Sequence, residues 1–267
     1  MLTRLGLSAA LVLVAGVALL MPTAGAVPRV AGGWPASIAA LPATAALVQR
    51  GVPARDGLFC GASVIAPDAV LTAAHCVTGM RASRLTVVTG RTRLSTEGSG
   101  QRTGVSRITI DPRWSAAGTV NDFAVLRLSR PVSSVPLALA RGRDAAGARV
   151  TVAGWGLQAS GGRVSDGLRR APLIVRSTAS CRATYGRRFH VSVMLCASGA
   201  AEQGACDGDS GGPLTRTGSD GIERQIGVVS FGAAACDSRA APGVYARVSG
   251  RASWIAEAAG LGARGAR

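Results

Sequence analysis

The sequence predicts an all-β protein of two antiparallel β-barrels with a carboxyl-terminal helix, and three observations carry that expectation. Short runs rich in Val, Ile, Leu and Thr recur between clusters of Gly, Pro, Asp and Ser, at 45–49, 62–65, 69–72, 85–89, 107–110, 124–128, 150–153, 173–176, 225–230 and 244–248. Long helical periodicity is absent until 249–259, where Ala252, Ile255, Ala256 and Ala259 share one face. The length left after an amino-terminal targeting segment suits a substantial core built as one all-β unit. An Arg-, Gly- and Ala-rich stretch at 140–147 is the expected connection. The first barrel then covers about 30–140, the second about 141–248 and the helix about 249–260. No internal repeat is visible.

The chain begins with that targeting segment. Residues 5–21 are almost wholly apolar, follow Arg4 and lead to Ala24-Gly25-Ala26, the layout of a secretory signal peptide spanning 1–26. The run is short for a membrane span, and no other stretch is apolar for long enough. A secreted, extracellular protein is expected, with no membrane span after processing. Val27-Pro28-Arg29 then reads as a short propeptide ahead of a domain over 30–267 that opens Val30-Ala31-Gly32-Gly33.

Charge and cysteine content narrow the partners. All 30 basic residues are arginine, and losing Arg4 and Arg29 lowers the formal charge from +16 to +14. Such a surface adheres weakly and non-specifically to anionic polymers. The arginines are scattered, aromatic residues make up only 4% and no groove-reading motif is present, so specific nucleic-acid binding is not expected. Six cysteines in an exported chain imply three disulfides, whose pairing the spacing does not choose. With no C-x-x-C pair and only His75 and His190, no metal and no cofactor are predicted.

The chemistry centres on Gly208-Asp209-Ser210-Gly211-Gly212-Pro213. A serine hydroxyl is a weak nucleophile unless a base and an oxyanion hole assist it. Glycines around Asp209-Ser210 allow a sharp turn that aims the Gly208 and Ser210 N–H groups into one volume; a Gly-rich surface turn is the plainer reading. The base must be a histidine. His75 ends Leu71-Thr72-Ala73-Ala74-His75-Cys76, where small residues leave room for a ring, whereas His190 reads as a loop residue. Asp122, at the entrance to the apolar run 123–128, is the candidate to orient His75, against the commoner role of a turn or cap residue.

His75, Asp122 and Ser210, in that order, resemble the chymotrypsin/trypsin family of secreted serine peptidases, from Val30 to about Ala259. Gly154-Trp155-Gly156 and Pro242-Gly243-Val244-Tyr245 match further family landmarks. The resemblance implies two six-stranded barrels and the disulfides Cys60–Cys76, Cys181–Cys196 and Cys206–Cys236. It also implies a zymogen cut after Arg29, which frees the Val30 amino group to pair with Asp209. In the loop where some relatives bind calcium, only Glu97 is acidic. The primary pocket would be lined by Gly204 at its floor, Asp207 at its lip, Ser230-Phe231-Gly232 along one wall and Gly243 opposite.

A neutral floor and two glycine walls predict preference for a large apolar or aromatic residue before the scissile bond. Asp207, or Glu202 after a two-residue slip of alignment, leaves an Arg/Lys preference as the alternative. With an apolar pocket the enzyme would cut poorly after Arg29 and need a separate activating protease. The expected protein is a monomeric endopeptidase acting on proteins or peptides, with the backbone of 230–232 pairing with the substrate strand. A basic binding protein on the same scaffold is the rival of another class. An esterase is disfavoured because the order His75, Asp122, Ser210 is not the nucleophile-first order of the esterase triad.

Overall fold

The structure, a computed structural model, describes residues 33–158, 161–199, 203–232 and 241–262. The signal and propeptide segments, Val30, Glu202 and Cys236 lie outside the described residues. In chain order the elements are β1 (Trp34–Pro35), β2 (Thr44–Gln49), α1 (Ala54–Gly57), β3 (Leu58–Ala66), β4 (Ala69–Thr72), α2 (Ala74–Val77), β5 (Leu85–Thr89), β6 (Gln101–Ile110) and β7 (Ala124–Leu128). There follow β8 (Ala138–Leu139), β9 (Arg149–Gly154), β10 (Arg169–Val175), α3 (Thr178–Tyr185), β11 (Met194–Ser198), β12 (Pro213–Thr217), β13 (Glu223–Phe231), β14 (Gly243–Arg247) and α4 (Ala252–Ala258).

Two closed six-stranded antiparallel barrels result. The first runs β2-β3-β4-β7-β6-β5; the second runs β10-β11-β14-β13-β12-β9 and is closed by β9 pairing with β10. Closure leaves no long unpaired edge on either sheet. Strand β1 pairs with β10, so the earliest described segment attaches to the second barrel although its sequence position adjoins the first. Conversely, α4 follows the second barrel and buries Ile255 in the first barrel's core, beside Val248 and Ala259. Each end of the described residues thus crosses to the other barrel.

Alternation of inward and outward side chains builds the cores. Leu47, Val64, Leu71, Val87, Phe123 and Leu126 fill the first. Val152, Leu173, Leu195, Leu214, Ile226 and Tyr245 fill the second. Between the barrels, Ala46, Val48, Val88 and Leu94 pack on Ala153, Trp155 and Leu168. Four strands were not expected from sequence, β1, β8, β11 and β12, and neither were the helices α1, α2 and α3, while β6 begins six residues earlier than its apolar run. Ser177 caps α3 by accepting from the Ser180 N–H at 3.1 Å.

The loop 91–100 is organised by a buried cation. Arg91 is 2% exposed and donates to the carbonyls of Ser99 (2.8 Å), Leu94 (3.1 Å) and Glu97 (2.9 Å). The Glu97 carboxylate completes the set at 3.0 Å from Arg91 and also accepts the Ala54 N–H at 2.9 Å. The Ala54 bond and the Arg91 and Arg102 guanidinium groups hold the Glu97 carboxyl below its usual range.

Candidate active site

Antiparallel pairing of β4 with β7 brings two of the expected residues together. Thr72 lies opposite Ala124, so the chain leaving β4 and the chain entering β7 emerge at the same end of the barrel. His75, three residues past Thr72, and Asp122, two before Ala124, therefore meet. Asp122 Oδ1 accepts the His75 backbone N–H at 2.9 Å, and Oδ2 lies 2.7 Å from His75 Nδ1. Ser230 Oγ donates to the same Oδ2 at 2.6 Å. The Asp122 side chain is sealed from solvent whereas that of His75 is 31% exposed, so one imidazole edge is buried against the carboxylate and the other is open to a substrate. With the proton on Nδ1, the Nε2 lone pair is free to act as a base.

The sequence places Ser230 in the pocket wall and in the strand expected to pair with substrate, and gives no sign of its bond to Asp122. A register shift between Val229 and Phe231 makes Ser230 the extra residue of a β-bulge in β13. A bulge re-aims a side chain, here towards a partner 108 residues away in the chain. No local pattern announces that contact.

The Gly208–Gly212 turn lies against the first barrel. The Ser210 carbonyl accepts the Gly61 N–H at 2.7 Å, and the Asp209 carbonyl accepts the Gly212 N–H at 2.8 Å. Gly211 donates to Val229 and Val229 donates back to Gly212, pinning the turn to β13. Between these used groups, the Gly208 and Ser210 N–H groups have no acceptor among the described residues. Gly208 has φ +92°, a conformation that favours glycine. Gly211 is tighter still, since a β-carbon there would meet the Gly61 carbonyl at 2.5 Å and also clash with the Thr72 hydroxyl. Gly61 and Thr72, which the sequence reading did not single out, thus set how closely the serine turn approaches β3 and β4.

The Cys60–Cys76 disulfide staples α2 to β3. Cys76 Sγ lies 3.7 Å from His75 Nε2 and 3.6 Å from the Ser210 carbonyl oxygen, so the imidazole and the serine turn flank the same sulfur. The Ser210 hydroxyl forms no hydrogen bond among the described residues, and the His75 ring bonds Asp122 through Nδ1 and lies beside the Cys76 sulfur through Nε2. Cys60, Cys76 and His75 have metal-like spacing, but both sulfurs are committed to the disulfide. Cys181–Cys196 is also formed, and Cys206 is disulfide-bonded; the expected partner Cys236 lies outside the described residues. His190 follows α3 with no hydrogen bond to Asp122.

Asp209 is fully buried on Gly154-Trp155-Gly156, accepting the Gly156 N–H at 2.8 Å and the Cys206 N–H at 3.0 Å. A β-carbon on Gly156 would meet this carboxylate at 2.5 Å, and one on Gly154 would clash as well, which is the physical reason for that glycine pair. Burial pushes the Asp209 carboxyl up from 3.8 to about 6, against the two N–H bonds and reinforced by nearby Asp207. Burial likewise raises the Tyr245 hydroxyl above its usual value.

Of the expected pocket residues, Gly204 has open space where a β-carbon would stand, and Gly232 faces Gly243, whose Cα such an atom would meet at 3.9 Å. A β-carbon on Gly243 would press the Tyr245 hydroxyl at 3.2 Å. Asp207 is exposed, and Phe231 is half-buried.

Two antiparallel barrels with a carboxylate-held imidazole facing a glycine-rich serine turn define the class of two-barrel serine peptidases. The family model described as Trypsin matches residues 30–255. A trypsin of Saccharopolyspora erythraea is 37% identical over 225 residues, covering 82% of this chain and 93% of that protein. Trypsin-1 of Astacus astacus is 38% identical, covering 74% of this chain and 86% of its own length. Phenoloxidase-activating factor 3 of Holotrichia diomphalia is 33% identical, with 85% and 71% covered. The chain belongs to the trypsin family and is a chymotrypsin-like serine endopeptidase acting on protein substrates. No helix among the described residues is long and apolar enough to cross a membrane.

Proposed function

We propose that Ser210 Oγ attacks the scissile carbonyl while His75 Nε2 takes its proton, with Asp122 orienting the ring and stabilising the imidazolium. The C–O bond to Ser210 forms, the Gly208 and Ser210 N–H groups hold the oxyanion, and His75 passes the proton to the amine as the C–N bond breaks. Water then enters by the same relay and releases the acyl group. The observation that carries this reading is the sealed Asp122 carboxylate, served by the His75 N–H, the His75 ring and Ser230.

The enzyme is exported on the 1–26 signal and cut after Arg29, after which the Val30 ammonium pairs with Asp209 and sets the Gly208 turn. A carboxylate buried with only two N–H donors among the described residues supports that role. Open space at Gly204 and the facing pair Gly232 and Gly243 support preference for a large apolar or aromatic residue before the scissile bond, which in turn calls for a separate activating protease. Relatives named trypsin and the exposed Asp207 favour Arg or Lys as the second reading.

The test is a peptide library digested by protein beginning at Val30, read by mass spectrometry beside Ser210→Ala. Cuts after Phe, Tyr, Leu or Met that vanish in the variant are expected. Cuts after Arg or Lys would keep the mechanism and reverse the pocket assignment. No Ser210-dependent cutting by folded protein would favour a binding role.

A further inference from the structure

An exposed arginine from the segment after α3 lies over the strand end that supplies Ser230. Phe231 follows Ser230, and its ring lies 5.4 Å from the guanidinium carbon of Arg188. Tyr185 meets the same ring edge-on, centroids 5.6 Å apart, and its hydroxyl donates to the Pro242 carbonyl, which holds the aromatic pair in place. Arg188 is exposed and has no carboxylate partner among the described residues. From 178 to 199 the chain carries Arg182, Arg187, Arg188 and His190 but no Asp or Glu. The hairpin bridged between Ser115 and Val120 is uncharged, and Val120 packs on the same buried cluster of Cys181, Phe189, Met194, Cys196 and Val244 as Tyr185 and Phe231. Phe231 is therefore bordered by a basic segment on one side and a neutral one on the other.

Ser230 Oγ is bonded to Asp122, so the ring stands one strand residue from the centre of the site. An extended substrate advances about 3.3 Å per residue. Side chains a few residues before the scissile bond would pass over Phe231 and within reach of Arg188. We propose that Arg188, stacked on Phe231, forms a subsite that selects an acidic side chain two to four residues before the scissile bond. This rests on the reading of Ser210 as nucleophile and of 230–232 as the strand that pairs with substrate. A carboxylate there gains a charge-assisted bond from a guanidinium whose one face is already covered by the ring.

The test uses protein beginning at Val30 and peptides that share the preferred residue before the cut and carry Glu, Gln or Arg at each of the three positions in turn. At low salt, Glu should exceed Gln in kcat/KM by about 3- to 10-fold at one or more positions, mainly through KM. Arg188→Ala should remove that preference and Arg188→Glu should invert it towards Arg. Arg182→Ala, which removes an equal charge from α3, should leave it intact. Equal cutting of Glu and Gln peptides by the wild type, or a Glu preference that survives Arg188→Ala, would overturn the subsite while leaving the peptidase reading in place. Absence of Ser210-dependent cutting of any peptide, the Gln series included, would remove both.

Discussion

Two charges are buried, one in a loop of the first barrel and one in the serine turn, and are treated differently. Arg91 in the first barrel's loop is surrounded by three carbonyls and a carboxylate. Asp209 beside the serine turn has two backbone N–H donors and no cation among the described residues. Burial of an ion is tolerated when its hydrogen-bonding capacity is met, and otherwise the group shifts towards its neutral form. The Arg91 loop is a finished structure. Asp209 is half-matched, as the proposed pairing with the Val30 ammonium requires.

The strongest way to break this comparison is to remove the Asp209 charge after maturation. In protein beginning at Val30, Asp209→Asn leaves an unpaired ammonium at a buried site, a loss of about 3–5 kcal/mol for a broken pair. We expect kcat/KM to fall by about 10²- to 10³-fold in steady-state assays, with the fold retained by circular dichroism. Unchanged activity would end the claim that Asp209 waits for a partner.

Arg91→Met tests the other side. Three carbonyls lose their donor, so urea unfolding should show a loss of about 3 kcal/mol, while kcat/KM of the folded fraction stays near that of the wild type. A comparable drop in activity would mean that the loop and the site are not separable.

The precursor form carrying Ser210→Ala sharpens the contrast through pH. The folded Asp209 pKa of about 6 lies above its ordinary 3.8, so the folded state binds more protons between those values. Stability is then greatest below about pH 4 as far as this group is concerned and falls as pH rises through about 6, by about 3 kcal/mol in total. Urea titrations across that window should show the decline in the precursor and not in its Asp209→Asn counterpart. Ser230→Ala should have a smaller effect: Asp122 loses one of three donors, and kcat should fall by about tenfold or less. Smallest of all, a chelator should leave the thermal midpoint unchanged, because the Arg91 guanidinium already serves the 91–100 carbonyls.

The same contrast marks what was legible in sequence. Strands made of β-branched and apolar runs, such as β5 and β7, stand out because local preference agrees with the fold. The first part of β6, Gln101-Arg102-Thr103-Gly104, has no apolar run to mark it and is held as strand by pairing with β5. Strand β12 opens on Pro213, and α3 buries only Cys181, so neither shows its period. At the site, His75, Asp122 and Ser210 were visible as motifs. Their supports were not, because the Ser230 hydroxyl, Gly61 and Thr72 act on partners that only the closed barrels bring near.

The pairing of β1 with β10 has a kinetic consequence. Trp34 and Pro35 are stitched to the second barrel, and the Gly33 carbonyl accepts from Arg169 at 3.1 Å. A terminus created at Val30 is then tethered by three residues, which reach at most about 10 Å. Its ammonium would meet Asp209 as an intramolecular ligand at high effective concentration, with little chain entropy left to lose. Switching on would be first order in enzyme and independent of dilution once the cut is made, so the activating protease alone would set the timing.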